Sequence, residues 1–198
     1  MENFIYALLI LTSIVGLAFI VERGWVLRWG KVVPPAVEVA VQSCQTRADV
    51  PVLRRVVAQH ASPLSRLISL AADHLDWEKA ENVDAIQTLA RHEIVKLERG
   101  LVVLEIIVGI APLLGLVGTI YGMMSLFTGL GQTGISDATT LAHGIGLILH
   151  ATLAGLLIAI PALIFWSYYT KKVEILAVEM ETLCEEFIRR QYRARATK

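Results

Sequence analysis

Two threonines, Thr119 and Thr152, stand inside long uncharged stretches whose other residues are mostly aliphatic or glycine. A hydroxyl donates and accepts hydrogen bonds but does not titrate near neutral pH, so the pair can guide a charge and cannot itself carry a proton. A lone membrane threonine ordinarily bonds the carbonyl one turn back in its own helix. These two, however, lie beside small residues at similar depth in what would be antiparallel spans, so oligomerisation would gather them round one axis as a polar ring. Residue type alone leaves both readings open. No carboxylate or base shares their face, and Glu105, His143 and His150 form no nucleophile and base arrangement, so an enzyme is not expected. Cys44 and Cys184 match no metal or redox spacing; no metal or other cofactor is expected.

The elements that must position these hydroxyls follow from charge. All 18 Lys and Arg residues fall between Arg23 and Arg99 or between Lys171 and Lys198. The basic-free parts hold an uncharged run from Asn3 to Val21 and a second from Ile106 to Thr170, broken only by Asp137. About 20 apolar residues cross a bilayer core, so the first run crosses once. The second crosses twice, with a turn at Gly129, Gly131, Gly134 and Asp137. The expected organisation is transmembrane helix 1 over 1–23, a cytoplasmic helical insert over 24–99, transmembrane helix 2 over 100–128, and a periplasmic turn over 129–138. Transmembrane helix 3 over 139–170 and a cytoplasmic C-terminal helix over 171–198 complete it. Basic residues near span ends stay inside, so Arg23, Arg28, Lys31, Arg99 and Lys171 agree on a periplasmic N-terminus and a cytoplasmic C-terminus. The first span carries Glu2 instead of a basic leader and no small-x-small site before Glu22, so it is expected to be retained.

Composition agrees: 55% hydrophobic residues and zero formal net charge, with a mean hydropathy of +0.59, describe an all-α integral membrane protein. Dispersed basic residues exclude a nucleic-acid face. The C-terminal basic cluster from Arg189 to Lys198 suits anionic inner-leaflet lipid. Within the insert, Pro34-Pro35 ends a juxtamembrane segment, Ser62-Pro63 offers an N-cap with proline at the first helical position, and Asp76 is the expected cap of the next helix. Apolar residues at Ile86, Ala90, Ile94, Leu97, Leu101, Leu104 and Val108 recur at helical spacing, which predicts one helix from about Trp77 to Phe127. After span three, Val173, Leu176, Met180, Leu183 and Phe187 form a heptad seam, expected to pack on the cytoplasmic part of that helix. The chain is therefore three transmembrane helices with long cytoplasmic helical extensions.

Spans two and three also carry small residues at helix-face spacing: Gly115, Gly118 and Gly122 in one, Ala151, Gly155 and Ala159 in the other. Lipid supplies no hydrophobic drive for helix association, so close backbone approach through such faces does that work. They suit packing within the chain, between copies, or against a partner helix.

The segment Ala111-Pro112-Leu113-Leu114-Gly115-Leu116-Val117-Gly118-Thr119-Ile120-Tyr121-Gly122-Met123 resembles the A-P-x-x-G-L-x-G-T-V-x-G-[IM] signature of the TolQ/ExbB/MotA proton-channel family, nearest its TolQ and ExbB branch. Gly144-Ile145, Ala151-Thr152, Gly155-Leu156 and Ala159-Ile160-Pro161-Ala162 are similar to that branch's third-span motif. The resemblance implies the pore-forming, proton-conducting subunit of an inner-membrane motor that powers envelope transport or maintenance. It implies a homopentamer around a single-span ExbD/TolR-like partner whose membrane aspartate carries the proton, with Thr119 and Thr152 lining the pore, and a TonB/TolA-like protein as a further partner.

The sequence departs from the pattern at Leu147, where the family commonly has an acid five positions before the threonine. His143 and His150 share the Leu147 face and are expected either to act as a polar auxiliary or to be neutral packing residues. The other readings are a non-conducting helical scaffold for a single-span partner and a MotA-type stator subunit, the latter disfavoured by span number.

Overall fold

The computed structural model describes residues 2–133 and 138–196, leaving aside the side chains at 2, 3, 130, 132, 133, 138–140, 143, 147 and 194–196. Its helices are α1 (Glu2–Val26), α2 (Trp29–Val32), α3 (Pro35–Ser43), α4 (Val50–Gln59), α5 (Pro63–Asp73), α6 (Lys79–Glu98), α7 (Leu101–Thr133) and α8 (Ala138–Ala196), with a 3₁₀ turn at Arg47–Asp49. There is no strand among the described residues. The chain forms two units, one of Met1–Arg23 with Gly100–Tyr168 and one of Gly24–Arg99 with Tyr169–Lys198.

The first unit holds three stretches long and apolar enough to cross a membrane, in α1, α7 and α8. Its polarity is inverted relative to a water-soluble bundle. Large apolar side chains point outward, with Phe4 64%, Leu17 66% and Leu157 63% exposed, while Ala111, Ala151, Ala159 and Ala162 are buried. This is what lipid demands, because apolar surface costs nothing there and only close packing holds helices together. α1 runs antiparallel to α7: a methyl on Gly118 would sit 3.4 Å from Ile5, and one on Gly16 would sit 3.4 Å from Ile107. At the far end of the same pairing the Arg23 side chain crosses Gly100, where a Cβ would come within 2.6 Å of its guanidinium carbon.

That crossing marks a difference from the expected continuous helix over 77–127. α6 ends at Glu98 and α7 begins at Leu101, with a turn at Arg99 and Gly100 between them. Glycine weakens a helix by about 1 kcal/mol relative to alanine, and here it leaves the space that Arg23 occupies. The apolar periodicity hid the interruption because Leu97, Leu101 and Leu104 are all buried. At its other end α7 continues through Gly129 and Gly131 to Thr133, so those glycines are helical and not part of a turn; Gly134, Ser136 and Asp137 lie outside the described residues.

The second unit is a water-facing type of core built from short helices. Pro35 opens α3 and Pro63 opens α5, the latter capped by Ser62, whose hydroxyl accepts from the Ser65 amide at 3.1 Å. Asp76 does not cap the next helix: Glu78 takes the N-cap position, and Asp76 pairs with Arg47 at 2.7 Å. Leu53, Leu64, Leu67 and Ile68 are buried, and so is the whole heptad seam of α8, Val173, Leu176, Met180, Leu183 and Phe187. Each such side chain contributes about 1.5–3 kcal/mol in water. The seam is not seated on α6 alone. Beyond it, Arg190 donates to the Gln42 carbonyl at 2.6 Å at the end of α3, and Gln191 reaches the Cys44 carbonyl at 3.5 Å. The Tyr192 hydroxyl lies 3.1 Å from the Trp77 carbonyl and accepts from the Asn82 amide at 3.2 Å. A groove of about 580 Å³ lies between α6 and α8 from Val83 to Ile188.

Glu93 is 1% exposed and is held by Arg66 at 2.5 Å and Lys96 at 2.9 Å. Burial raises its pKa, but the hydrogen bonds and charges of these two cations outweigh it and hold the carboxyl below the usual range. Folding therefore lowers the pKa, so the stabilisation is complete above the unfolded value of about 4.3 and is lost as pH falls through the lower folded value. Glu93→Gln is expected to cost about 2 kcal/mol and to flatten the acid limb of stability, read by thermal unfolding between pH 3 and 7 as a roughly pH-independent loss above the midpoint.

Candidate functional site

Along α7, Ala111, Gly115, Gly118 and Gly122 present a face to α8 of the same chain. A Cβ on Gly155 would lie 2.5 Å from the Ala111 carbonyl oxygen and 3.2 Å from the Gly115 Cα. One on Gly115 would lie 2.8 Å from the Ala151 carbonyl and 2.9 Å from the Thr152 Cα. Gly118 meets the Ala151 methyl and Gly122 meets Ile148, at 2.8 and 2.7 Å respectively, and Ala159 is buried with Ile107, Ala111 and Ala162. All six small residues singled out by spacing therefore belong to one helix contact, made within the chain.

Both threonines border this contact. Thr152 turns its hydroxyl across it and donates to the Gly115 carbonyl at 3.4 Å, a long bond by the usual 2.7–2.8 Å of O–H···O pairs. Thr119 stands one turn beyond Gly115 on the same face of α7 and donates to its own helix, to the Leu116 carbonyl at 2.7 Å. The two hydroxyls thus bond the carbonyls of consecutive residues of α7, Gly115 and Leu116. Each oxygen keeps acceptor capacity, and the weakly held proton of Thr152 is available to another acceptor. Reading by residue type missed the Gly115 carbonyl, since a backbone acceptor leaves no trace in sequence beyond the glycine that uncovers it.

The auxiliary histidines are placed less completely. His150 is exposed and its Nδ1–H donates to the Gly146 carbonyl at 2.6 Å, one turn back in α8. The side chains of His143 and Leu147 lie outside the described residues. Glu105 is exposed near the start of α7, away from the glycine face. Among the described residues no cluster of three or more His, Cys, Asp or Glu suits a metal ion.

Residues 55–182 match the model of the MotA/TolQ/ExbB proton channel family. The chain belongs to this family. It is 34% identical over 163 residues to a putative biopolymer transport protein ExbB-like 1 of Synechocystis, covering 79% of this chain and 63% of that protein. Similarity of 34% over 103 residues links it to the biopolymer transport protein ExbB of Helicobacter pylori, covering 52% of this chain and 66% of the relative. The Tol-Pal system protein TolQ of Pseudomonas aeruginosa is 35% identical over 103 residues, covering 52% of this chain and 45% of its own. The chain thus spans less than two thirds of each relative. Within the MotA/TolQ/ExbB family these likenesses put it in the ExbB/TolQ branch, as an all-α membrane protein. The matched region includes α7 and the membrane part of α8, so both threonines and all six small residues lie inside it.

Proposed function

We propose that this chain is the pore-forming subunit of a bacterial inner-membrane motor that couples the proton gradient to envelope transport or maintenance. The observation that carries the reading is the Thr152 hydroxyl bonded across the helix contact to the Gly115 carbonyl, with Thr119 one turn beyond Gly115 on a face that no carboxylate among the described residues shares. Such a site needs its acid from outside. A single-span partner of the ExbD/TolR kind, bearing one membrane aspartate, supplies it, and five copies of this chain surround the partner spans. An ionised aspartate in hydrocarbon is costly unless donors meet it or it takes up a proton. Thr152 can release its long bond to Gly115 and donate to the carboxylate, while the Thr119 oxygen can accept from the protonated form. One charge moved through 100 mV is worth about 2.3 kcal/mol, enough to bias a turn of one component against the other. Output passes to a TonB/TolA-like protein.

The scaffold reading draws on one feature, the 2.7 Å bond of Thr119 to its own helix, which is what a threonine without a conducting role would make. Co-purification with the partner alongside gradient-dependent work separates the two: a scaffold retains the partner and is indifferent to the hydroxyls.

The orientation proposed is N-terminus periplasmic and C-terminus cytoplasmic. The native cysteines do not report on it, because Cys44 and Cys184 are both buried and would resist thiol reagents from either side. Introduced cysteines do: Phe4→Cys, on an exposed position of α1, is expected to label in intact cells with an impermeant reagent, and Val52→Cys, exposed on α4, only after the membrane is opened. Labelling of Val52→Cys in intact cells would reverse the orientation.

A further inference from the structure

We infer that the second unit carries a binding site for the phosphate headgroup of an anionic lipid, set where the first membrane helix ends. A cavity of about 550 Å³ opens between Val26, Gly30 and the 59–63 segment, and Lys31, His60, Arg66 and Lys96 line it. Its volume is that of a small-molecule site, about 300–1,000 Å³. Glu93 is the one carboxylate in the lining, and it is already held by Arg66 at 2.5 Å and Lys96 at 2.9 Å. Three fixed cations against one carboxylate leave the cavity positive. The donors are not exhausted. A guanidinium has five N–H groups and an ammonium three; Glu93 takes one from each, and both side chains are about half exposed.

The surroundings choose lipid over a free ion. Val26, which lines the cavity, is also the last residue of a helical stretch long and apolar enough to cross a membrane, so a lipid headgroup at that helix end would meet the cavity lining. Trp25 and Trp29 are exposed beside it, as aromatic residues are at membrane interfaces. Lys31 lies 4.1 Å from the Trp25 ring centroid, a contact that steadies its ammonium at that level without using its hydrogen-bond donors. A lipid phosphodiester would place its charge among Lys31, Arg66 and Lys96 while its acyl chains stay in the bilayer.

The test uses the purified full chain in a neutral detergent, followed by thermal unfolding while phosphatidylglycerol, phosphatidylcholine or inorganic phosphate is titrated in. Phosphatidylglycerol is expected to stabilise the protein saturably, and the other two only weakly. Lys31→Gln should raise the phosphatidylglycerol concentration for half-maximal stabilisation about fivefold, the effect of one basic side chain near a lipid surface, and Lys31→Arg should restore it. Arg55→Gln removes the same charge from an exposed position on α4 outside the cavity and should leave the midpoint unchanged. Equal loss from Lys31→Gln and Arg55→Gln would mean diffuse attraction and overturn the site. Stabilisation by inorganic phosphate as strong as by the lipid, or none by phosphatidylglycerol, would overturn the lipid assignment.

Discussion

Gly155→Leu is expected to abolish the folded membrane unit. A single methyl at this position would stand 2.5 Å from the Ala111 carbonyl oxygen, and that oxygen belongs to a helix backbone which cannot step aside as a side-chain tip would. Overpacking of a soluble core costs about 1–3 kcal/mol where neighbours can shift; here α7 and α8 must separate, and lipid provides no hydrophobic drive to bring them back. Gly115→Leu should behave alike, with its Cβ 2.8 Å from the Ala151 carbonyl. Gly109→Ala in the same helix meets nothing within 4 Å and should be neutral. The measurement is the yield of monodisperse protein after detergent extraction and its unfolding temperature: near-complete loss for the two leucine variants, none for Gly109→Ala. Because these faces are already occupied within one chain, failure of Gly155→Leu to form a ring would follow from loss of the subunit and would say nothing about subunit contacts.

Thr119→Val and Thr152→Val should separate function from folding in the opposite way. Valine keeps the shape of threonine without its hydroxyl. Hydrogen bonds between membrane helices average about 0.6 kcal/mol, and that of Thr152 is long at 3.4 Å, so both variants should fold and retain the partner. Gradient-dependent work should fall by at least tenfold in each, with Thr→Ser retaining more activity than Thr→Val. Normal work by both valine variants would leave the hydroxyls as backbone-bonded packing groups, as the Leu116 bond of Thr119 already is in part.

How legible this was in sequence varied with the physical source of each feature. The membrane helices could be read from charge and hydropathy because lipid tolerates few alternatives. The small-residue faces were equally plain, since only glycine, which has no Cβ, permits a 2.5–2.9 Å approach of a Cβ position to a neighbouring backbone; what spacing could not say was that the faces meet each other. The seam of α8 was visible as a heptad, but its seat was not, because the hydrogen bonds that anchor its end join residues far apart in sequence: Tyr192 to Trp77 and Asn82, Gln191 to Cys44, Arg190 to Gln42. The same holds for Glu93 with Arg66. The break at Gly100 was invisible for a different reason: hydrophobic periodicity reports which face is buried, and the buried face continues across the turn. Asp76 was misplaced because a cap and an ion pair use the same carboxylate, and Arg47 claims it.

Proton flux measured in liposomes bears most directly on the central claim, that this chain supplies a pore whose acid comes from a partner. Vesicles containing the chain together with a single-span partner are expected to pass protons down an imposed gradient, and those containing either protein alone are not. Asn in place of the partner's membrane aspartate should stop the flux, and Thr119→Val with Thr152→Val should reduce it by at least tenfold with the complex intact. Flux that persists when both hydroxyls are gone, or that this chain sustains without any partner, would contradict the account.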